Sequence, residues 1–180
     1  MTTYVAMLRA VNIGQHQRVG MAELRKFTEG LGYARVRTLL ASGNLVFDGP
    51  LIPGPRVERR LEEGAERELG LRTPFLVRTA AEVADCIRHN PLPKAAAEDP
   101  GHLVVVFLRN EPAPAAWSSL AAAIRGPEVV RGWGKHAFIH YAGGIGTSRL
   151  TGAVIDRNLG TIGTGRNWNT VGKLAALAAG

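Results

Sequence analysis

The chain has 180 residues, 46% of them hydrophobic at a mean hydropathy near zero, which is enough apolar surface for a water-soluble core. Its net charge of +7 and pI near 10.3 point toward anionic partners, and its longest strongly apolar run, Leu103–Leu108, is far too short to span a bilayer. The first residues, "MTTYVAMLRAVNIG", lack a basic lead, a long apolar middle and a small-residue cleavage site, so a cytoplasmic protein with no membrane attachment is expected. Cys86 is the only cysteine, which excludes an intramolecular disulfide and every multi-cysteine zinc pattern. Beside Val83 and Ile87 it reads as a small packed hydrophobe.

In chain order, "TYVAMLR" (Thr3 to Arg9) is β-branched and apolar enough for a buried strand, and "VNIGQHQRVG" follows as a loop. Met21, Leu24, Phe27 and Leu31 recur at helical spacing up to a stop at Gly32. "RVRTLL" and "NLVFDG" are strand-like runs joined by "ASGN", where Gly43 and Asn44 tolerate positive φ, and together they predict a hairpin. An amphipathic helix buries Val57, Leu61, Ala65 and Leu69 and leaves its many charges on a solvated face, and "TPFLV" closes the set as a strand. A helix, "AAEVADCIRH", and the proline-bearing "NPLPKAAAEDPG" come next.

The order then restarts. It runs strand "HLVVVFL", helix "EPAPAAWSSLAAAI", strands "PEVVRGW" and "HAFIHYA", and helix "TSRLTGAVIDRNLG". "TIGTG" supplies a last short strand or a loop, and "NTVGKLAALA" ends the chain as a helix. The expected fold is α+β: two ferredoxin-like units (split βαβ, of βαββαβ type) in tandem with an extra C-terminal helix. The units are placed at residues 1–78 and 101–180, with a helix and linker over 79–100. No residue-level repeat relates the halves, so the duplication rests on element order.

The charge is unevenly spread. Residues 1–48 hold six basic and three acidic side chains, residues 49–124 nine and ten, and residues 125–180 seven and two. Two glycine-led turns lie in the basic C-terminal part, and a helix start beyond such a turn offers unpaired N–H groups to an anion. In "YAGGIGTSRL", Ser148 is the expected N-cap, which puts Arg149 in the first turn, against the helix dipole unless an anion intervenes. In "TGRNWNTVGKLAALA", Asn167 or Asn169 caps the final helix, and Thr164, Gly165 and Arg166 form the approach. A nucleoside-triphosphate P-loop is disfavoured, because Arg166 stands for its lysine and Asn167 for its magnesium-binding hydroxyl.

Other chemistry has less support. His136 and His140 share a face of a strand but lack a third ligand, so no metal is expected. No G-x-S-x-G elbow or H-E-x-x-H pair occurs, and Asp156 is the only acid near the glycine-rich end.

Two segments, "YVAMLRAVNIGQHQRVGMAELRKFTEGLGYARVRTLLASGNLVF" and "GIGTSRLTGAVIDRNLGTIGTGRNWNTVGKLAALA", resemble the bacterial family described as domain of unknown function 1697. The likeness spans essentially the whole chain. The family's L-R-x-V-N-V-G-G opening reads here as Leu8 to Gln15, with Gln15 in place of the second glycine. Its S-G-N hairpin is Ser42, Gly43 and Asn44, and its T-x-R-N-W-N-T block is Thr164 to Thr170. The resemblance implies a pair of ferredoxin-like units and no particular activity.

The basic ends coincide with these two segments. The expected function is therefore recognition of a phosphate-bearing ligand, a nucleic acid or nucleotide, by Arg9, Asn12, Asn44, Ser148, Arg149, Arg166, Asn167 and Asn169, with no cofactor. An enzyme acting on a phosphorylated small molecule is an alternative, with Asp156, His136 or His140 as its only candidate bases. A further alternative is a non-catalytic interaction module built on Trp117, Trp133 and the helix from Glu111 to Ile124.

Overall fold

A computed structural model describes residues 1–11 and 17–180. Asn12 and Gln15 lie outside the described residues. The first unit comprises Met1–Ala84 together with Leu174–Gly180, and the second Asp85–Lys173.

In the first unit, β1 (Thr2–Leu8), α1 (Met21–Gly30), β2 (Ala34–Thr38), β3 (Asn44–Gly49), α2 (Gly54–Leu69) and β4 (Phe75–Thr79) follow the βαββαβ order. Their antiparallel sheet has the order β2-β3-β1-β4, which is the ferredoxin-like arrangement. β1 sets Tyr4 opposite Phe47 and Ala6 opposite Leu45, and Leu24, Phe27, Val57, Leu61 and Ala65 of the two helices join them in one core. Each large side chain so buried contributes about 1.5–3 kcal/mol. The hairpin forms where "ASGN" predicts it. Gly43 has φ +78°, and a Cβ there would stand 2.6 Å from Val11 Cγ2 and 2.9 Å from Leu8 Cβ, so only glycine fits.

Glu58 and Glu62 of α2 accept the main-chain N–H groups of Val77 (3.0 Å) and Phe75 (2.9 Å) on the edge strand β4. They cover a strand edge that would otherwise be open to pairing with another chain.

Next come α3 (Ala80–Arg88), which buries Cys86, and α4 (Pro93–Glu98), a helix within the proline-bearing stretch whose proline sits in its first turn. The second unit then repeats the plan with β5 (Leu103–Leu108), α5 (Pro114–Ala123), β6 (Val129–Trp133), β7 (His136–His140), α6 (Gly152–Leu159) and β8 (Gly163–Asn167), in sheet order β6-β7-β5-β8. Val104, Val106, Ala137 and Ile139 pack against Leu120, Ile155 and Leu159. α7 (Trp168–Ala179) is the additional C-terminal helix. Among the described residues this makes seven helices and two four-stranded antiparallel sheets, a mixed α/β fold compatible with tandem ferredoxin-like units.

One open alternative is resolved and one local expectation changes. "TIGTG" contributes an edge strand, because at Gly163 a Cβ would lie 2.7 Å from Val106 Cγ1 and 2.9 Å from the Phe107 carbonyl oxygen, and the absent side chain lets β8 close on β5. Helix α6 starts three residues later than its sequence suggests. Thr151 caps it by accepting the Val154 N–H, and Ser148 is engaged elsewhere.

Candidate functional site

The segment from Tyr141 to Leu150 is a loop tied at both ends. The Tyr141 hydroxyl donates to the Leu150 carbonyl (3.0 Å), and the Leu150 N–H donates to Ser148 Oγ (3.0 Å). Ser148 Oγ in turn donates to Glu128 Oε1. Gly144 reaches φ +88° at the middle of this path and returns its N–H to the Tyr141 carbonyl at 2.8 Å.

With Arg125, Gly126 and Pro127, the loop encloses a hollow of about 180 Å³, lined also by Glu128, Gly143, Gly144, Thr147, Ser148 and Arg149. Arg125 has one nitrogen on the Ala122 carbonyl (2.8 Å) at the end of α5. Arg149 is exposed and meets no acceptor among the described residues. Glu128 remains ionised. Its carboxyl is held below the usual range by the Ser148 hydroxyl first, and by the nearby amides of Glu128 and Gly126. Those amides favour its charge from outside hydrogen-bond geometry, since Oε2 is buried without a bonded partner. Neither arginine pairs with Glu128, and two guanidiniums against one carboxylate leave the hollow net positive.

The other glycine-led approach is built differently. Arg166, on β8, is 8% exposed and donates from Nη1 to Thr164 Oγ1 and to the Gly165 carbonyl, both at 2.8 Å. Burial pushes its pKa down to about 10, so it stays cationic at neutral pH. Asn167 is the cap of α7, its Oδ1 accepting the Thr170 N–H at 2.9 Å. Asn169 lies exposed one residue past Trp168.

In the first unit, Arg9 is half-buried, with its N–H on the Pro74 carbonyl (3.1 Å) and its carbonyl accepting from the Thr73 hydroxyl. Asn44 is fully buried and donates to the Leu39 carbonyl (2.8 Å) and Ser42 Oγ (3.0 Å), closing the hairpin from within. Of the eight residues expected to bind, Ser148 and Arg149 line one hollow. Arg166 and Asn167 are sequence neighbours at the β8–α7 junction, each hydrogen-bonded to nearby residues of its own chain segment, and Arg9 and Asn44 belong to the other unit.

The sequence reading missed three participants. Arg125 and Glu128 complete the hollow. Asp99 binds His140 Nε2 through Oδ2 and His102 Nδ1 through Oδ1, each at 2.9 Å, beside a hollow of about 410 Å³ walled by Pro91, Leu92, Pro93 and Val129. His140 thus has a carboxylate partner, although no hydroxyl or thiol nucleophile among the described residues lines that hollow. His136 is buried against the Phe107 ring, and Asp156 lies on α6. Trp133 stacks on His89 at 4.3 Å, and Trp117 covers Gly132. No group of three or more His, Cys, Asp or Glu among the described residues is arranged to hold a metal ion, and no helix there is long and apolar enough to cross a membrane.

Comparison with known proteins gives a family and a fold. The model of the family described as "Protein of unknown function (DUF1697)" matches residues 1–138. The solved structure of the conserved bacterial protein SP0830 from Streptococcus pneumoniae is similar, with a TM-score of 0.74 at 17% identity, over 100% of this chain and 99% of that one. No curated protein matches the chain.

Proposed function

The chain belongs to the DUF1697 family, and for it we propose binding of a phosphate-bearing small ligand of the nucleotide type, with the phosphate in the hollow between Arg125 and Arg149. The observation that carries this reading is the pairing of an unpartnered Arg149 guanidinium with a small, net positive hollow beside a glycine-rich loop. Guanidinium presents forked donors to phosphate oxygens, and such charge-assisted bonds contribute about 1.5–3 kcal/mol each. At about 180 Å³ the hollow is smaller than sites that enclose a drug-sized ligand, so it suits a phosphate with its ester link and leaves the sugar and base outside.

Ser148 is a positioning residue in this reading. It holds Glu128 back from the arginines and fixes the loop through Leu150. Titration of inorganic phosphate and then a nucleoside diphosphate into the isotope-labelled chain tests the proposal. Amide shifts should appear at Gly143 to Arg149, and R149Q should weaken both ligands about 10-fold or more. Shifts confined to other segments would remove the site.

A further inference from the structure

Helix α2 carries a second basic feature, on the first unit, and it is independent of the loop described above. Its composition looks balanced, yet its arginines gather on one face, with Glu63 the one acid inside their arc. At 100° per residue, Arg56, Arg59, Arg60 and Arg67 fall within an arc of about 100°, while Glu58 and Glu62 turn the other way to cap β4.

The four arginines border a hollow of about 630 Å³ with Leu31, Gly64 and a single carboxylate, Glu63. All four are exposed. Arg60 is pre-positioned, donating to the Leu31 carbonyl at the end of α1 and lying 5.2 Å over the Tyr33 ring. Arg67 pairs with Glu68 at 3.0 Å, and Arg56 and Arg59 have no partner among the described residues. Four guanidiniums gathered on one concave face repel one another unless an anion comes between them.

From the juxtaposition of these four arginines on one face of α2 we infer a docking surface for a nucleic-acid phosphodiester backbone. Arg56 to Arg67 spans about 16 Å of helix, long enough to meet several successive phosphates of one strand. The chemistry argues against a membrane surface as the occupant. Membrane-surface helices insert an exposed apolar face, whereas the apolar residues Val57, Leu61 and Ala65 of α2 are all buried in the core. No aromatic ring among the described residues lines the hollow, so bases have no stacking platform there and binding is through the backbone, without sequence preference.

The test is fluorescence anisotropy of a labelled mixed-sequence 20-nucleotide single strand, titrated with the full chain across a salt series. Neutralising four phosphates gives a slope of log K against log salt of about −2.8, and R56Q/R59Q should reduce its magnitude by about 1.4. At the lowest salt the double variant should bind at least 10-fold more weakly. Inorganic phosphate should still shift the amides of Gly143 to Arg149 in R56Q/R59Q, whose substitutions lie outside the loop hollow, so this surface and the loop site stand or fall separately. Should the double variant fold poorly by circular dichroism, R56Q and R59Q singly should each reduce the slope magnitude by about 0.7. Absence of binding at low salt, an unchanged slope in the variants, or binding of anionic vesicles or poly-glutamate in preference to the oligonucleotide would each overturn the inference.

Discussion

Arg149 and Arg166 both follow glycine-rich turns in the second unit, and they show two opposite uses of a guanidinium. Arg166 lies in an edge strand with its Nη1 on Thr164 and Gly165, desolvated and nearly sealed from water. Arg149 stands on a loop whose ends are fixed by Tyr141 and Ser148, and its side chain lines a hollow while bonding to no acceptor among the described residues. The difference teaches that a glycine-led approach to a helix does not itself make an anion site. What decides is whether the protein has already satisfied the donors.

Substitutions at the two positions should therefore separate affinity from stability. The largest effect is expected for R149Q, a 10- to 100-fold loss of phosphate affinity with stability held to about 0.5 kcal/mol, as befits an exposed side chain. Isothermal titration and urea unfolding of the same samples read both. R166A should do the reverse, costing about 2 kcal/mol because buried acceptors lose their donor, while phosphate affinity stays within about twofold. Equal affinity losses in the two variants would break the distinction.

A smaller change follows from the cap. N167A should lower stability by about 1 kcal/mol through loss of the bond to the Thr170 N–H, again without affecting the ligand.

The last effect depends on pH. Burial, and then the charge of Glu128, push the Tyr141 hydroxyl up to about 12. Between about pH 10 and 12 the unfolded chain gives up this proton while the folded chain keeps it, so stability contributed by Tyr141 is intact below pH 10 and is lost as pH rises through about 12. Urea midpoints measured from pH 9 upward should fall less steeply for Y141F than for the wild type.

Much of the fold is legible in the sequence because it depends on local patterns. Continuous apolar runs mark β1, β5 and β7, helical spacing marks α1 and α2, and "SGN" marks a turn that Gly43 alone can make. The site is less legible, because its decisive contacts join distant residues. Ser148 and Thr151 are both good caps, and the choice falls to Thr151 once Ser148 is captured by Glu128, twenty positions away. Asp99 meets His140 across 41 positions, which no spacing rule anticipates. Asn44 looks like a ligand group by type, yet its amide is used up inside its own hairpin. The arginine face of α2 emerges only when its residues are projected around a helix, because acids and bases balance along the linear sequence.

The most direct single test is an amide-resolved titration of the wild-type chain with inorganic phosphate, run beside R149Q and R166A. Saturable shifts clustered at Gly143 to Arg149, absent in R149Q and retained in R166A, are the predicted result. Shifts centred on Thr164 to Thr170 that survive R149Q would contradict it.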